Sequence, residues 1–166
     1  MHKLALAVFL AILIILQVSV LSPLFPFGTC PNLFLIAVAW MSFKYPRRRP
    51  LLAAATGGFF LDLISYTPAG INTLGLVAFA LLSDKLIENF FPKEENTYLL
   101  CASVVGGLIF FHLTTFVLQL MVAAVANIEA QTFTGYLGPQ TLWQIANNII
   151  LLFPLTWLGR KMLGNT

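Results

Sequence analysis

Between Leu4 and Phe43 the chain carries no charged side chain at all. That run is too long for a 166-residue soluble fold to hide. Charged residues make up 9% of the whole chain, against roughly 25% in an ordinary soluble domain. With 59% hydrophobic residues and a mean hydropathy of +0.90, the sequence reads as an integral membrane protein built as one domain. A helix needs about 20 apolar residues to cross a bilayer. Breaks at SPLFPFGTCPN, KYPRRRP, TPAG, PKEEN and NIEAQTFTGYLGPQ divide the chain into six candidate spans, at about 3–21, 32–43, 51–66, 71–91, 98–126 and 141–158. The fold class is therefore all-α, with six transmembrane helices filling residues 1–166. The start resembles a signal peptide, but no small-x-small cleavage site follows, so it reads as a retained first span.

The net charge of +3 does not point to nucleic acid, because the cations sit at the ends of apolar segments. In the six-span arrangement every Lys and Arg falls on one side: Lys3, Lys44, Arg47, Arg48, Arg49, Lys85, Lys93, Arg160 and Lys161. The three opposite loops carry only Glu129. The positive-inside pattern places both termini in the cytoplasm. The cytoplasmic basic loop Lys44, Arg47, Arg48 and Arg49 reads as a topology anchor beside anionic lipid, or as a contact for a cytoplasmic protein. The second and third spans are short for a hydrocarbon core of roughly 30 Å, so they must lean on protein neighbours, extend into ordered loop, or sit where the bilayer thins.

Asp62 is the one acid deep in a span, inside GGFFLDLISYTPAG. It lies roughly 17 Å from the inner face at the helical rise. An ionised Asp facing lipid costs about 3 kcal/mol or more, so it should face protein and have partners. Gly58, Asp62 and Ser65 share a helix face, as do His112, Thr115 and Gln119. Thr141, Gln144 and Asn148 share another, with Asn147 beside it, and Asn72 opens the fourth span. These stripes are expected to meet as one buried polar cluster. It would serve either as hydrogen-bonded glue or as a site for a ligand or a partner helix. A proton relay through Asp62 and His112 would be a thin one. The pairs Gly57-Gly58 and Gly106-Gly107, and Ala7 with Ala11, allow close backbone approach, within the bundle or to a partner. No catalytic constellation, phosphate loop or metal-ligand spacing is present, so neither an enzyme nor a cofactor is expected.

Three stretches carry a family resemblance. CPNLFLIAVAWMSFKYPRRRP resembles a second-span signature of the bacterial rod-shape-determining MreD family, through Pro31, Asn32, Trp40, Pro46 and Arg47. GGFFLDLISYTPAGINTLGLVAFAL is similar to that family's third and fourth spans, through Gly57, Gly58, Leu61, Asp62, Leu63 and Gly70. NNIILLFPLTWLGRKM matches its last span, through Asn148, Pro154, Arg160 and Lys161. The fifth span matches no family pattern. The resemblance implies a non-enzymatic component of the rod complex, or elongasome, in the bacterial cytoplasmic (inner) membrane, supporting side-wall peptidoglycan synthesis. It implies MreC as first partner, then RodA with its penicillin-binding transpeptidase, and the actin-like MreB indirectly. It also implies an architecture like that of the substrate-binding S-components of energy-coupling-factor transporters. Such an S-component of a vitamin importer is the rival function. Ala7-x-x-x-Ala11 resembles the stripe those proteins dock with, whereas the outer loops lack the polar and aromatic groups expected for vitamin capture.

Overall fold

The computed structural model describes residues 2–25, 29–65, 68–90, 97–126 and 139–163, and every element among them is a helix. Helix α1 runs His2–Ile15, continues as a π-helical stretch Leu16–Leu21, and ends in the turn Ser22–Leu24. Then come α2 (Leu33–Lys44), α3 (Arg48–Ile64), α4 (Ile71–Phe90), α5 (Thr97–Ala126) and α6 (Pro139–Leu163). Among the described residues, three stretches are long and apolar enough to cross a membrane: Leu4–Leu24, Thr97–Ala126 and Gln140–Leu163. Helix α2 is a shorter apolar one.

The short helix is the centre of the bundle. Residues Leu33 to Phe43 are all buried, with Trp40, Leu35, Ile36 and Met41 fully enclosed. An apolar stretch with no polar face can only be stable when surrounded. Helices α3, α4, α5 and α6 pack around α2, and α1 lies on α6 and α3. The 12 residues of α2 span only about 18 Å. Its neighbours, not lipid, therefore cover its ends.

Close packing follows the small residues. A Cβ added at Gly57 would meet the Phe34 ring, one at Gly107 the Phe79 ring, and one at Gly159 the Trp40 ring. At Gly58 the neighbour is backbone, since an added Cβ would sit 2.4 Å from Thr73 Cα. Gly106 has open space beside it, and Ala7 and Ala11 are exposed, so these three take no part in internal packing.

Several boundaries differ from the sequence reading. Helix α3 begins at Arg48, not Leu51, because Pro50 in its first turn needs no hydrogen-bonded N–H. The basic segment is thus less a loop than two helix ends joined by Tyr45, Pro46 and Arg47. Lys44 closes α2 over the Trp40 ring, and Arg49 lies 4.5 Å from the centre of the Tyr45 ring. Helix α6 runs past Leu158 through Arg160 and Lys161, held there by the Gly159–Trp40 contact. Trp40 is a core residue, while Trp143 and Trp157 are exposed. Tyr66, Phe91, Lys93 and Glu129, which enter the span limits or the charge argument, lie outside the described residues.

Candidate functional site

The polar side chains divide into two clusters rather than one. The first answers why an acid sits in α3. Gly70, at φ +96°, ends a Pro-Ala-Gly turn and sits at the N-cap of α4. It has no side chain with which to cap the helix. Asp62 on α3 does so from the side. Its Oδ1 accepts from Asn72 N–H (2.8 Å) and its Oδ2 from Thr73 N–H (3.1 Å) and the Thr73 hydroxyl (2.5 Å). These are two of the N–H groups that a helix start leaves unpaired, at the positive end of the helix dipole. Asn72 Nδ2 donates to Ser65 Oγ (3.0 Å), which ties the end of α3 to the same turn. The backbone contact at Gly58, one turn before Asp62, sets the separation that brings the carboxylate within reach.

Replacing Asp62 by leucine removes all three bonds. It is expected to lower stability by about 2–3 kcal/mol, and asparagine, which keeps one acceptor oxygen, by about half that. Thermal unfolding in detergent reads both, and an unchanged midpoint for Asp62→Leu would remove the capping role.

The second cluster surrounds the segment that leads into α2. Residues Thr29 to Asn32 are not helical, and Pro31 and Asn32 are buried. Apart from Asn32 O, which accepts from Ile36 N–H (3.2 Å), their peptide groups lie outside a helical ladder, a costly arrangement inside a membrane unless side chains supply the partners. Four amide side chains take that place. Asn147 Nδ2 donates to Thr29 O (3.1 Å) and Gln144 Nε2 to Cys30 O (2.9 Å). Gln17 Nε2 donates to Pro31 O (2.9 Å), and Gln17 Oε1 accepts from Leu33 N–H (3.0 Å). Asn148 Oδ1 accepts from Asn32 N–H (3.0 Å). Asn32 then caps α2, its Oδ1 accepting from Leu35 N–H (3.1 Å).

The cradle is itself oriented. His112 Nε2 lies 2.7 Å from Gln144 Oε1, so α5 holds the α6 amide in place. Asn148 Nδ2 donates to Gln144 O (2.8 Å). Gln17 lies in the π-helical stretch of α1, whose wider turn is closed by Ser22 N–H on Gln17 O. Among the described residues no buried side-chain nitrogen or oxygen lacks a partner.

Of the residues expected in one cluster, Asp62, Ser65 and Asn72 form the cap, and His112, Gln144, Asn147 and Asn148 form the cradle. Thr115 joins neither. Its hydroxyl donates to Phe111 O and His112 O within α5, and its methyl packs beside Gly75. Gln119 is partly exposed one turn further on. Gln17 and Thr73 also belong to these clusters but lie on none of the predicted polar stripes. A single amide in an otherwise apolar first span was the available signal for Gln17.

A family model for the rod shape-determining protein MreD matches residues 1–162. The chain belongs to the MreD family. No curated protein and no solved structure matches it. An MreD chain has a role in rod shape determination as a structural bacterial membrane protein, and the family is not a known enzyme family. The MreD match takes in α1 to α5, nearly all of α6, and both polar clusters. The cap and the cradle are thus features of an MreD chain's own scaffold. Both pair side chains with the chain's own backbone.

Proposed function

We propose that the chain is a non-enzymatic, multi-pass component of the rod complex in the bacterial cytoplasmic membrane. It binds MreC and supports side-wall peptidoglycan synthesis and rod cell shape. RodA with its penicillin-binding transpeptidase joins through the same assembly, and MreB indirectly from the cytoplasm. The observation that carries this reading is the family match over residues 1–162. The geometry adds a physical reason: the polar groups inside the bundle are engaged with its own backbone, which suits a scaffold rather than a reaction chamber. Both chain ends belong in the cytoplasm, on the side where the Lys and Arg residues gather.

The rival, a vitamin-binding component of an importer, needs interior polar groups available to a ligand. Gln17, Gln144, Asn147, Asn148 and Asp62 are all bonded to main-chain atoms instead. Affinity purification of the tagged chain in mild detergent should bring MreC with it, and depletion should round rod-shaped cells. Cells that stay rod-shaped, with no MreC recovered, would overturn the proposal.

A further inference from the structure

At one end of the bundle the last turn of α2, the three-residue connection and the final turns of α4 enclose a cleft of about 510 Å³. Its walls carry opposite charges. Lys44 and Arg47 lie on the α2–α3 side, and Asp84 and Glu88, one turn apart, on α4. Tyr45 and Ser42 are also in the lining. Arg47 Nε sits 3.4 Å from Asp84 Oδ2, which ties the two walls together. The Glu88 carboxylate is exposed and forms no ion pair with another described residue. Helix α3 starts on the rim at Arg48, with no side-chain cap at Arg47, so the positive end of its dipole lies at the cleft.

Among the described lining residues two cations face two carboxylates, so their charges balance but are separated. It lies where the apolar stretches of α2 and α4 give way to charged residues, the depth of lipid headgroups. A purely anionic headgroup would meet Asp84 and Glu88 with like charge. A choline headgroup has no N–H to give a carboxylate. A phosphate ester carrying a primary ammonium complements both walls.

We propose that this cleft seats the headgroup of a phosphatidylethanolamine, its phosphate toward Lys44 and Arg47 and its ammonium on Glu88. The glycerol and acyl chains lie outside the cleft, along the apolar flank of the bundle. Bound lipid bridges the ends of α2 and α4.

The test uses the full chain in detergent, offered equal amounts of phosphatidylethanolamine, phosphatidylcholine and phosphatidylglycerol, with retained lipid read by native mass spectrometry. The ethanolamine lipid should be retained about tenfold over the choline lipid, a difference of about 1.4 kcal/mol. Glu88→Gln should bring the two to near equality. Lys85→Gln, an exposed change on the same helix outside the cleft, should leave the preference intact. Soluble phosphoethanolamine, offered alone, should be retained far less than the lipid. Equal retention of the three lipids, preference for phosphatidylglycerol, a preference that survives Glu88→Gln, or stronger capture of the soluble compound would each overturn the proposal.

Discussion

Gly58→Ala is expected to cost at least about 3 kcal/mol and to reduce the yield of folded protein sharply, while Gly106→Ala is expected to be neutral or stabilising by about 0.5–1 kcal/mol. Both positions are helical glycines in Gly-Gly pairs. They differ in what a methyl group meets. At Gly58 it would lie 2.4 Å from Thr73 Cα and 2.8 Å from Thr73 N, and backbone cannot swing aside as a side chain can. Helices α3 and α4 would have to part, and Asp62 would lose its hold on the start of α4. At Gly106 nothing lies within 4 Å. Unfolding midpoints in one detergent compare the two directly. Equal effects at both sites would remove the close helix contact as the reason for glycine.

Gln17→Leu carries the next largest effect, a loss of about 2–6 kcal/mol. One side chain serves two backbone groups; its loss leaves Leu33 N–H unpaired and Pro31 O with only the weak Cys30 S–H contact, at about 1–3 kcal/mol each. Hydrophobicity rises on this substitution, so a simple partition argument predicts the opposite sign. Gln17→Glu, held protonated among apolar neighbours, keeps an acceptor for Leu33 N–H and an O–H for Pro31 O at the cost of retaining the proton, and should fall between the parent and the leucine variant. A leucine variant as stable as the parent would show that the entry to α2 does not depend on this amide.

The helix pattern was legible because charge and proline punctuate it. Pro46 and the Pro-Ala-Gly turn marked their boundaries within a few residues. The shortness of α2 was legible too, together with its need for protein cover. What the sequence hid was direction. Periodicity showed that Asp62 and Ser65 share a face, and that Gln144 and Asn148 do. It could not show that one face turns toward the start of α4 and the other toward a stretched connection. Polar residues pointed to partners of their own kind, side chain to side chain. Most of those partners are instead peptide groups, which no residue letter reveals. Gln17 is hidden for the same reason, since its partners are peptide groups and only Ser19 and Ser22 accompany it as polar residues from Leu4 to Leu24.

The bond between Asn148 and Asn32 joins residues 116 positions apart. Ribosomes add roughly 5–20 residues each second, so the entry to α2 waits roughly 6–23 s before α6 has been made. Through that interval its peptide groups lack the amides that α6 brings. The insertion machinery, or water held near the bilayer surface, must shelter them meanwhile. Helix α6, made well after α2, therefore completes the entry to α2, and premature termination upstream of Asn148 leaves the centre of the bundle unfinished.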